Sequence, residues 1–194
     1  MKFKFNLFVF IFVHLACLSF VYSLNLTIIH NNDIHARFVP SNVYGEDCEN
    51  ENDESCYGGI AKTVYKTNEL RKQIPNLLYL NAGDSFVGTL WYSLFKWQLV
   101  AELVKRMKFD AMSFGNHEFD DGVEGLAPYV KETTSLIPML ACNLDISGEP
   151  RFKDIVFKSK IFEIDGQKIG VIGYITPETA EISSPGPTLK FSDE

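Results

Sequence analysis

Histidine is scarce in this 194-residue chain and unevenly spread: His14, His30, His35 and His117, with none after that. Positive charge is short as well, because 18 Lys and Arg stand against 25 Asp and Glu for a net charge of −7. No basic stripe is present, so a nucleic-acid backbone is not an expected partner. A small anionic substrate would also be repelled unless a bound divalent cation reversed the sign locally. The four cysteines form no paired Cys-x-x-Cys motifs, which argues against a cysteine-ligated structural zinc. Internal repeats and low-complexity tracts are absent, leaving an ordinary globular composition, 46% hydrophobic and 22% charged.

The first residues stand apart. Met1-Lys-Phe-Lys4 gives a positive start, residues 5–22 are nearly all apolar, and Ser23 follows. That pattern reads as a secretory signal peptide over residues 1–23. Its removal takes Lys2 and Lys4 but no acid, moving the net charge from −7 to −9. Cys17 leaves with it, and in an oxidising compartment Cys48 and Cys56 are expected to close the acidic loop between them as a disulfide. Cys142 is then odd. The sequon at Asn25 is expected to go unused, since it falls within the first predicted strand.

Along the remaining chain, short apolar runs alternate with stretches of helical spacing. Strands are predicted at 24–30, 77–80, 110–114 and 137–141, and helices at 60–70, 94–107 and 122–132. Two β-rich runs, 155–164 and 168–175, are joined by Asp165-Gly166, a strong hairpin signal. Residues 177–187 read as loop. The alternation predicts an α/β fold with a largely parallel sheet and an antiparallel addition at the end.

Asp33, Asp84, Asn116 and Asn143 each fall just past the carboxyl end of a predicted strand, where ligand sites of open α/β sheets gather. On an extended backbone, Asp33 and His35 would point to the same side as two metal ligands. Asp84 has two oxygens with which to bridge two cations, and Asn116 offers a neutral amide oxygen. His117 is then free to donate a proton to a phosphoryl or leaving oxygen. Asp120, three residues on, would fix its tautomer and favour its charged form. His30 is expected to pack within the first strand, and Glu118 to point away from the site and serve structure.

Asp33-Ile-His35, Ala82-Gly-Asp84 and Gly115-Asn-His-Glu-Phe-Asp120, in that order, resemble the signature of calcineurin-like metallophosphoesterases, and within them the secreted 5′-nucleotidase/apyrase family. Cys142-Asn-Leu-Asp145, Gly173-Tyr-Ile-Thr-Pro-Glu-Thr179 and Ser184-Pro-Gly-Pro187 extend the resemblance over most of the mature chain. The resemblance implies a layered β-sandwich flanked by helices. It also implies two divalent metal ions, zinc foremost with manganese, magnesium or calcium as alternatives, held by Asp33, His35, Asp84 and Asn116. His117 and Asp120 become the catalytic dyad, and Asn116, His117 and Arg37 the substrate contacts. Nucleotides such as ATP, ADP or AMP become the substrates, attacked by a metal-bound hydroxide, in a secreted or cell-surface protein with no membrane anchor visible.

The later Gly-His motifs that complete the metal site in that family, and its C-terminal nucleotide-binding domain, have no counterpart here. The expectation is therefore that residues 24–194 are the N-terminal part of the metallophosphoesterase domain, C-terminally truncated and weakly active or inactive alone. The competing expectation is a non-catalytic secreted ligand-binding protein on the same fold.

Overall fold

A computed structural model describes residues 23–48, 50 and 54–193. The expected signal segment, apart from Ser23, lies outside the described residues. Among those described, no helix is long and apolar enough to cross a membrane.

The centre is a five-stranded, wholly parallel sheet in the order β1 (Thr27–Asn31), β2 (Leu77–Asn81), β3 (Ala111–Ser113), β4 (Met139–Leu140), β6 (Val156–Phe157). Short runs such as Leu77-Leu-Tyr-Leu80 form it because both faces of a parallel strand are covered, so no polar alternation is needed. One face carries Leu77, Tyr79, Met112 and Met139 into the main core. There they meet Val100, Ala101 and Val104 of helix α2 (Leu90–Met107) and Leu126, Tyr129 and Val130 of helix α3 (Gly122–Thr134). Helix α1 (Ile60–Gln73) adds Ile60 to the same core. The other face lines a groove with Ile28, His30, Leu80, Ser113, Ile172 and Tyr174.

Between these elements, β5 (Leu144–Asp145) pairs antiparallel with β9 (Lys190–Phe191), and β7 (Ser159–Ile164) with β8 (Gln167–Ile172), the hairpin turning at Asp165-Gly166 as expected. Cys48 and Cys56 are bonded, with Cα atoms 6.2 Å apart, and Cys142 is a free thiol.

Four local expectations need correction. The run 155–164 is not one strand: Val156–Phe157 closes the parallel sheet, and Ser159–Ile164 leaves it to form the hairpin. A β-rich run can serve two sheets, and composition does not mark where it turns. The second helix begins four residues earlier than expected and breaks at Lys96 (φ 49°, ψ −151°). The Lys96 ammonium lies 3.2 Å from Asp121, which also accepts from the Tyr92 hydroxyl at 2.9 Å, so a tertiary anchor coincides with the break. Asn25 is exposed and precedes β1, so the acceptor residue is not in the strand and only Thr27 of the sequon is. His30, expected to pack, is exposed on the edge strand.

Candidate metal centre and catalytic dyad

The loops leaving β1 and β2 run side by side beyond the sheet. The Asp33 N–H donates to Gly83 O (3.0 Å), that of His35 to Asp84 O (2.9 Å) and that of Ala36 to Ser85 O (3.1 Å). Asp33, His35, Ala36 and Asp84 all take the left-handed conformation, with φ between 48° and 54°. The backbone at Asp33-x-His35 is thus not extended, and the reason expected for their convergence does not hold. They still meet, His35 Nε2 lying 3.4 Å from Asp33 Oδ1, because the inter-loop hydrogen bonds curl the segment.

The loop after β3 completes the site by close approach. A Cβ on Gly83 would lie 2.0 Å from Gly115 N, and one on Gly115 would lie 2.1 Å from Asp84 Oδ1. Only two glycines permit that contact. It lets the His117 N–H donate to Asp84 Oδ1 at 2.9 Å, joining the tip of β2 to the 3-10 turn Asn116–Phe119.

Three strand tips therefore deliver His35, Asp84 and His117 to one point, their ligand atoms all within 4.8 Å of one another and half-buried. The imidazole centroids of His35 and His117 are 5.1 Å apart. Two imidazoles and a carboxylate form a donor set suited to a first-row divalent ion. Asp33 stands at the rim, its side chain 55% exposed and hydrogen-bonded by Asn32. Asn116 opens the 3-10 turn and is half-buried.

His117 is held from behind. Its Nδ1 lies 2.7 Å from Asp120 Oδ2, and this hydrogen bond raises the imidazole pKa above the ordinary histidine value. The other Asp120 oxygen accepts from Ser183 Oγ at 2.6 Å. Ser183 comes from the segment expected to be plain loop. Its backbone N–H is fixed at the end of a short helix, α4 (Thr179–Ile182), by bonding to Thr179 O. Sequence reasoning missed Ser183, since nothing local marks a serine 63 residues from its partner.

Glu118 is 2% exposed; burial raises its carboxyl pKa, while the four backbone N–H groups that donate to it favour the carboxylate. Asn143, at another strand tip, serves structure: its amide donates to Ile175 O (2.7 Å) and Ser192 O (3.0 Å) and accepts from Ile175 N (3.1 Å). Arg37 donates to Gly45 O at 3.0 Å and lines a groove with Asn32, Asp33 and Tyr57.

A family model described as calcineurin-like phosphoesterase matches residues 26–189. The chain belongs to the calcineurin-like phosphoesterase family. Among curated relatives of this phosphoesterase chain, an apyrase of Tabanus yao is 42% identical over 169 residues, covering 87% of this chain and 30% of that protein. A snake venom 5′-nucleotidase of Gloydius brevicauda is 39% identical over 175 residues, covering 89% and 29%. Of solved structures, a 5′-nucleotidase precursor from Thermus thermophilus superposes with a TM-score of 0.76 at 35% identity, over 87% of this chain and 32% of that one. The chain thus spans about 30% of the length of the relatives it matches. The relatives named apyrase and 5′-nucleotidase are hydrolases, and the mixed α/β fold with a parallel sheet agrees with the expectation from the sequence.

Proposed function

We propose that this chain provides the dyad and a metal cradle of a nucleotide phosphohydrolase working outside the cell on the phosphates of ATP, ADP or AMP. The observation that carries the reading is the meeting of His35, Asp84 and His117 beside the His117–Asp120 pair. Relatives named apyrase and 5′-nucleotidase, among them one from snake venom, support nucleotides as the substrate class and an extracellular setting.

His35 and Asp84 would hold the divalent ion, with Asp33 and Asn116 reaching in from the rim. A bound ion would neutralise phosphate charge and acidify water. The chain's own residues do the rest. With Nδ1 committed to Asp120, His117 presents Nε2 to the site. Held protonated there, it donates to a phosphoryl or leaving oxygen as negative charge develops. Asp120, itself steadied by Ser183, keeps the ring oriented and charged.

His117 cannot both ligate through Nε2 and donate a proton from it, so the two roles make different predictions. Under the proposed role, His117→Asn leaves zinc or manganese binding within about threefold while abolishing phosphate release by an active parent. Under the ligand role, cation binding itself collapses. Calorimetric titration with Zn²⁺ and Mn²⁺, alongside a phosphate-release assay on ATP, ADP and AMP, separates them. A chain that binds no divalent ion would favour the competing reading, a non-catalytic binding or inert product.

A further inference from the structure

The metal cradle depends on two loops that belong to different strands and are not covalently joined near the site. Besides the bond from His117 N to Asp84 Oδ1, one buried side chain outside the His35, Asp84 and His117 cluster ties them together. Glu118 Oε2 accepts the N–H of Asp84 (2.8 Å) and of Gly115 (2.6 Å), while Oε1 accepts that of Ser85 (2.7 Å) and of Phe86 (3.2 Å).

A carboxylate has roughly four lone-pair sites and no proton to donate, so four N–H groups use its whole capacity. No neutral side chain of the same size does this. Glutamine keeps one acceptor oxygen and turns an N–H₂ toward two N–H donors, while aspartate falls short by one C–C bond, about 1.5 Å. The four donors come from both walls of the cradle: Asp84, Ser85 and Phe86 from the tip of β2, and Gly115 from the tip of β3. Glu118 sits one residue after His117, so the same turn that presents the imidazole plants the clamp behind it.

Its effect on Asp84 is specific. Asp84 is a non-glycine residue with φ 54°, a conformation that side chains disfavour unless the surroundings impose it. The bond from Asp84 N to Glu118 and the bond from His117 N to Asp84 Oδ1 fix that residue at its backbone and at its side chain. Mutual placement of Asp84 and His117 therefore rests on Glu118 as well as on their direct bond. We propose that Glu118 is a positioning residue for the metal cradle, its carboxylate clamping the β2 and β3 loops so that His35 and Asp84 converge on a cation with His117 beside it.

The proposal rests on the functional reading above for its cation, and its test separates the two. The full chain, Glu118→Gln and Glu118→Asp are titrated calorimetrically with Mn²⁺ and Zn²⁺, with thermal melts recorded in parallel. The expected result is a loss of affinity of about tenfold or more in Glu118→Gln, the range in which supporting partners of metal ligands act, with partial recovery in Glu118→Asp and a cooperative melt in both. Wild-type affinity in a folded Glu118→Gln overturns the proposal.

Should Glu118→Gln fail to fold, amide hydrogen exchange on the unaltered chain decides. The N–H groups of Asp84, Ser85, Phe86 and Gly115 are expected to exchange slowly and together, and free exchange at these amides overturns the clamp. If the unaltered chain takes up neither ion, the functional reading fails by itself, and the exchange measurement still tests the clamp.

Discussion

The backbone N–H of His117 donates to Asp84 Oδ1 at 2.9 Å, so the residue that leads the dyad is seated on a predicted metal ligand. Under the proposed roles, cation binding and proton donation would be coupled through one carboxylate. Whatever displaces Asp84 moves His117 too.

Asp84→Ala is therefore expected to remove a ligand and unseat the His117 turn at once. Calorimetry should detect at least about a hundredfold loss in Mn²⁺ affinity, beyond the tenfold to hundredfold ascribed to supporting partners alone. Affinity within threefold of the unaltered chain would remove Asp84 from the site.

In the metal-free chain, His117 is expected to titrate above the ordinary histidine value, because Asp120 hydrogen-bonds its Nδ1 and attracts the charged ring. A folded-state pKa above the unfolded one gives stability fully present below about 6.5 and lost as pH rises through the folded value. Asp120→Asn should lower the titration midpoint, read from the imidazole signals by NMR. A midpoint unmoved by that change would break the pair.

Gly83→Ala puts a methyl group where Gly115 N already stands, 2.0 Å from the added Cβ, at a backbone φ of 94°. Overpacking and the unfavourable φ together are expected to cost about 2–3 kcal/mol. Urea unfolding should record that loss. A neutral result would mean the two loops do not lie as closely as described.

Glu149 is 4% exposed and accepts from Arg151 Nε (2.7 Å) and Nη2 (2.9 Å) and from Thr188 Oγ1 (3.1 Å), which hold its carboxyl down at about 2. Its stabilising effect is present above the unfolded value near 4.3 and is lost as pH falls from there through about 2. Arg151→Met should move the acid-unfolding midpoint to higher pH, followed by circular dichroism. An unchanged midpoint would mean that another carboxylate governs acid unfolding.

Strand tips were legible in the sequence because a buried parallel strand is a short apolar run that ends abruptly in polar residues. Leu77-Leu-Tyr-Leu80 before Asn81-Ala-Gly-Asp84 is the clearest instance. The Cys48–Cys56 bond was legible for a similarly local reason, a spacing of eight residues around one acidic loop. Ser183 was not, since its pairing with Asp120 depends on where a distant helical turn ends. The break at Lys96 and the division of 155–164 between two sheets also depend on distant partners, so local composition carried no sign of them.

The sequence by itself determined which residue types arrive at the carboxyl ends of the strands, and in what order, because strand periodicity and chain connectivity decide both. Tertiary structure alone decided that Asp33 stays at the rim while His117 joins His35 and Asp84. That outcome turns on left-handed loop backbones, on two glycines in van der Waals contact and on four N–H groups gathered by Glu118. Such contacts fix positions to within an ångström, and no spacing along a chain encodes a distance between loops.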